Sequence, residues 1–140
     1  MKNMWWIYAL LSALFAAFTA ILAKIGIKGI NSDLATAIRT LFILFIAWGI
    51  VLARKELYGI NLLSKNNWLF LGFSGIATGL SWIFYFKALQ LGKVSQVAPV
   101  DKLSVAIAII LSTVLLHEVI TWKILVGTIL IIAGSVVIIL

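Results

Sequence analysis

One carboxylate in this sequence stands where a carboxylate is costly. Asp101 lies about seven residues into an apolar run that begins at Val94, roughly 10 Å of helix rise from its start. Its short side chain cannot reach water from there, so it needs a cation or a hydrated cavity. Lys102 follows it directly. Arg39 lies about five residues, roughly 8 Å, into a second apolar run, and Lys87 stands near the end of a third. Helix direction brings all four toward the same side. Paired with a cation, Asp101 stays charged. Left in an apolar cavity, it can take up and release a proton. The neighbouring positive groups outnumber it, which favours the paired state and leaves spare positive charge for an acidic group on a ligand. A purely structural ion pair is the alternative. Pro99, two residues upstream, removes a backbone donor and should kink or open its helix, freeing carbonyls beside Asp101.

Hydroxyl groups recur at helical spacing. Ser74, Thr78, Ser81 and Tyr85 form one stripe at i, i+4, i+7 and i+11. Asp101, Ser104 and Ser112 share a face, as do Tyr8, Ser12 and Thr19, while Thr36, Arg39 and Thr40 cluster. Thr128 and Ser135 are the hydroxyls of the last apolar run. Polar faces turn away from lipid. The first four runs should therefore surround a common interior, with the fifth at the periphery. Hydrogen bonding between helices, without a cavity, is the other outcome such stripes allow.

The elements that position these groups are membrane helices. Of 140 residues, 64% are hydrophobic and 11% charged, more apolar surface than a water-soluble domain of this length can hide. Five stretches are long enough to cross a bilayer as helices: Met4 to Ala23, Leu34 to Ala53, Trp68 to Gln90, Val94 to Leu116 and Thr121 to Leu140. They are continuous, without the alternation of barrel strands. The expected fold is all-α, one compact five-helix bundle over residues 1–140. Short loops make successive helices antiparallel neighbours. In the longest loop, Leu57, Ile60 and Leu63 should form a short amphipathic turn. Lys2 before the first run resembles a secretory signal, but the run is long and more membrane helix follows.

Several chemistries are disfavoured. Without cysteine there is no thiol chemistry, and a single histidine makes a transition-metal site improbable. No cofactor is expected. The net charge of +7 is scattered over loops and helix ends, which suits headgroup anchoring and not nucleic acid. Adjacent His117 and Glu118 have no nucleophile or second base beside them, so no enzyme is expected. No GxxxxGK[ST] motif for nucleotide binding occurs.

The stretch Ala88-Leu89-Gln90-Leu91-Gly92-Lys93-Val94-Ser95-Gln96-Val97-Ala98-Pro99 resembles the bridge between the third and fourth helices of EamA-like domains, in the drug/metabolite transporter superfamily. Leu116-His117-Glu118-Val119-Ile120-Thr121-Trp122, with Leu125-Val126-Gly127 and Ile131-Ile132-Ala133-Gly134, resembles that family's closing pattern. His117 departs from it, standing where the family usually has glycine, and Val105 stands where many members have a second proline. The resemblance implies transport without naming a substrate; a secondary transporter of a small metabolite or drug-like molecule in the cytoplasmic membrane is expected, driven by a proton or ion gradient because no nucleotide-binding motif is present. The length is that of single-domain members, half of a ten-helix inverted repeat. Asp101, Lys102, Arg39, Lys87, Pro99, Ser81 and Tyr85 are the candidate substrate-binding or coupling residues. A non-transporting membrane subunit packed against larger partners is the alternative function.

Two glycine patterns mark close-packing surfaces. Gly75 and Gly79 form a GxxxG, and Gly127 and Gly134 lie seven apart on the last span, the candidate contact between two subunits. Orientation is poorly specified. Lys2, Arg54, Lys55, Lys65 and Lys123 fall on the N-terminal side, and Lys24, Lys28, Lys87 and Lys93 on the other. Positive charge in short loops normally fixes the cytoplasmic side, and here the two sides nearly balance. The chain is therefore expected to insert both ways and to pair with itself as an antiparallel homodimer. Reporters fused to the C-terminus should give signal from both sides of the membrane. Two or three lysines added between Leu91 and Lys93 should confine it to one side.

Overall fold

The computed structural model describes residues 4–140, so Lys2 lies outside the described residues. The chain is helical throughout, with no strand among the described residues: α1 (Trp5–Gly26), α2 (Ser32–Ala53), a 3-10 helix (Glu56–Leu62), α3 (Lys65–Leu91), α4 (Val94–Asp101), α5 (Leu103–Leu116) and α6 (Trp122–Ile139). Five segments are long and apolar enough to span a bilayer, with α4 and α5 together making the fourth. Large apolar side chains cover the outside, among them Phe45 and Val137, each 72% exposed. Such a surface is stable only against lipid. The protein is an all-α, multi-pass membrane protein. Helix contacts gather into two units, Leu22–Gln90 and Leu91–Leu140 with the chain up to Ile21.

In the unit Leu22–Gln90, polar side chains tie up the loose backbone ends. Lys24, in the last turn of α1, donates its ammonium to the carbonyl of Leu89 near the end of α3. It thereby satisfies a carbonyl that the end of a helix leaves without a partner. Gln90 Nε2 donates to the Ile30 carbonyl at 2.6 Å. Between these two bonds lie Ile27 and Leu89, both buried. Asn31 caps α2, its side chain accepting from the Asp33 amide at 2.7 Å. Asp33 in the first turn complements the helix dipole. α3 begins at Lys65, three residues before the apolar run, because Ser64 accepts from the Asn67 amide at 3.2 Å and starts the helix among polar residues. The expected amphipathic turn is the 3-10 helix. It packs on α2, where Ile60 and Leu63 line a cleft of about 440 Å³ with Trp48 and Val51.

The other unit is organised around a broken span. The helix is interrupted at Lys102 alone, whose amide turns back to Pro99 O at 3.0 Å. Both pieces pack on α6. Thr121 caps α6 by accepting from the Ile124 amide. α5 ends on His117, whose φ of 55° is left-handed, and the Glu118 amide bonds Ser112 O at 3.3 Å. This is the helix stop that glycine usually provides, and it explains why the related pattern has glycine here. His117→Gly should therefore raise stability by about 1 kcal/mol, read as a higher thermal unfolding midpoint in detergent.

Candidate functional site

Most hydroxyls in the spans satisfy themselves on their own helix. Thr36 donates to Ser32 O at 2.9 Å, Thr40 to Thr36 O at 2.8 Å, Thr78 to Ser74 O at 2.8 Å, Ser112 to Ile109 O at 3.0 Å and Thr128 to Ile124 O at 2.8 Å. Such bonds span one turn and need no neighbouring helix. The stripe on α3 divides accordingly. Ser74, Thr78 and Ser81 are exposed on this chain, and Tyr85 is half-buried.

Arg39 gathers an aromatic cluster in the unit Leu22–Gln90. It sits seven residues into α2, one turn beyond the buried Thr36. Its guanidinium does not reach out to headgroups. It lies 4.2 Å from the centroid of Trp82 and 5.1 Å from that of Phe86, both on α3. Tyr85 is its electrostatic neighbour and meets Phe86 edge-on at 6.3 Å and 67°. Nη1 is buried and makes no hydrogen bond. A cation over aromatic faces gains about 0.5–2 kcal/mol, whereas an arginine deep in a bilayer costs about 2.5–3.5 kcal/mol on insertion scales. The rings alone do not offset the cost. Lys87, one residue past Phe86, is exposed and makes no ion pair among the described residues.

Asp101 and Lys102 belong to the other unit. Lys102 Nζ stands 3.4 Å from Asp101 Oδ2, with 37% of the Asp101 side chain exposed. The pair sits at the gap between α4 and α5. Pro99, half-buried, presents its carbonyl to Ser135 Oγ of α6 at 3.0 Å; the same hydroxyl reaches Ile131 O at 2.8 Å. Ser135 is buried. The helix runs through Pro99, with a one-residue turn following at Lys102, and Ser135 ties α6 to this segment. Gly127 is half-buried and Gly134 exposed, and a methyl group built on either would meet nothing within 4 Å. Neither glycine is needed for packing inside its own chain, and the same holds for Gly75 and Gly79.

Three functional neighbours escaped the sequence reading. Trp82 and Phe86 lie on one face with Tyr85, at i, i+4 and i+3, a spacing visible in the sequence. Ser135 carried no such signal, since its partner is 36 residues away. No cluster of metal-ligating side chains occurs among the described residues. Ser135→Ala should cost about 0.6 kcal/mol, a typical interhelical hydrogen bond in a membrane, seen as a small fall in unfolding midpoint with secondary structure unchanged.

Comparison with known proteins agrees with this architecture. The model of the EamA-like transporter family matches residues 3–140. A protein of Sinorhizobium sp, described as an uncharacterized transporter in the cobO 3′ region, is 48% identical over 118 residues, covering 84% of each chain. No solved structure matches the chain. The five spans are consistent with these similarities: the chain belongs to the EamA-like transporter family and is a membrane transporter.

Proposed function

We propose that this protein is a secondary transporter of a small metabolite or drug-like molecule in the cytoplasmic membrane, working as an antiparallel homodimer. The near-balance of Lys and Arg between the two sides of a five-span chain carries this reading, because it lets the chain insert in both orientations. Two oppositely inserted copies make an inverted pair, the arrangement that gives alternating access in many transporters. The open surface at Gly127 and Gly134 supports a second copy there. Each glycine lies five residues inside one end of α6. Antiparallel α6 helices crossing at their midpoints bring Gly127 against Gly134 of the partner subunit.

Asp101 is the coupling group in this reading. It sits at a helix break, where backbone carbonyls and a carboxylate can together hold a cation or a proton. Lys102 and Pro99 shape that position, and Arg39, Lys87, Ser81 and Tyr85 are the further candidate substrate contacts. Asp101→Asn keeps the shape and removes the charge. It should abolish flux in reconstituted vesicles while the protein stays folded and dimeric. Unchanged flux would favour the non-transporting subunit. Loss of folding, rescued by also neutralising Lys102 or Arg39, would make Asp101 a structural ion-pair residue.

A further inference from the structure

We propose that Arg39, braced on Trp82 and Phe86, is the seat for a carboxylate or phosphate group, and that the transported molecule is a soluble organic anion. The inference rests on the transport reading above and names the class of its substrate. Three observations carry it. First, Arg39 lies well inside a membrane-spanning helix, yet its stem leads to the rings of α3 and not outward. Second, those rings hold the guanidinium by its face. A planar guanidinium stacked in this way keeps its edge of N–H donors free, and that edge matches two oxygens of a carboxylate or phosphate. Nη1 is buried without a hydrogen bond. Third, neither acid of this unit serves Arg39. The Asp33 carboxylate accepts from Ser32 Oγ at 3.4 Å, and Glu56 stands in the 3-10 helix beside Trp48 and Val51. A guanidinium held over rings, with a buried donor that makes no hydrogen bond, is a demand for an anion that its own unit leaves unmet.

The aromatic side chains also shape what binds. Trp82 and Phe86 fix the guanidinium in place, so little freedom is lost when an anion docks. Their flanks offer apolar contact to the rest of the molecule. Benzoate, an apolar ring bearing one carboxylate, should therefore bind more tightly than acetate.

The test is binding to the purified full chain in dodecyl maltoside. Benzoate, acetate, inorganic phosphate and tetraphenylphosphonium are titrated against the thermal unfolding midpoint. Benzoate and phosphate should raise the midpoint in a saturable way, and tetraphenylphosphonium should not. Arg39→Gln should weaken benzoate at least about tenfold, the worth of a charge-assisted hydrogen bond. If Arg39→Gln fails to fold, Arg39→Lys carries the test: it keeps the charge, loses the fork, and should also weaken benzoate about tenfold. Equal affinity in the variant that folds, or a response to the cation alone, would overturn the proposal. A benzoate response erased by phosphatidylglycerol in the micelle would make a lipid headgroup the occupant and overturn the substrate assignment. So would a response that appears only in Asp101→Asn, since a carboxylate of the chain itself would then fill the seat. Binding and flux fail separately. Anion binding without flux would refute transport and keep the site, while flux of cations without anion binding would do the reverse.

Discussion

Hydrocarbon offers no partner to a polar group, and each one left unsatisfied costs several kcal/mol. The uniform helicity of the chain follows from that constraint, because a helix closes its backbone hydrogen bonds within itself. So does the behaviour of its hydroxyls, most of which turn back one turn to a carbonyl of the same helix. The exceptions fall where helices end or break and the ladder cannot close. Lys24 serves the Leu89 carbonyl, Gln90 serves Ile30, and Ser135 serves Pro99. Polar contacts between helices are spent at the weak points of the backbone. Apolar packing between helices is sparse, and Leu89 is the one large side chain among the described residues that is fully buried.

Charges obey the same constraint with larger energies. Asp101 and Lys102 stand at a break where carbonyls, a carboxylate and an ammonium occur together. Arg39 stands in an intact helix against aromatic rings. In the first, an ammonium balances the carboxylate; in the second, ring faces meet the guanidinium.

Much of this was legible in the sequence, for reasons that differ by element. The five spans follow from apolar length alone. Their ends shifted where polar residues remain helical: Lys65 to Asn67 extend α3 because Ser64 caps it, and Lys24 to Gly26 extend α1. Pro99 lies inside α4, and the turn in the fourth span falls after it, at Lys102. His117 was marked by its departure from glycine, and its left-handed backbone gives the reason. Contacts over long separations were not legible. Lys24 read as a headgroup anchor, yet it bonds a carbonyl 65 residues away. The stacking of Arg39 on Trp82 and Phe86, on another helix, was not legible either.

The claim on which the functional account turns is that two copies meet in opposite orientations across α6. The chain has no cysteine, so introduced thiols report without background. Two differently tagged copies, one carrying Gly127→Cys and the other Gly134→Cys, can be expressed together and oxidised in the native membrane. An antiparallel pair predicts that the mixed disulfide between the two tags exceeds either disulfide between like copies. Disulfides formed mainly between like copies would contradict it, because a parallel pair sets each cysteine against its own counterpart.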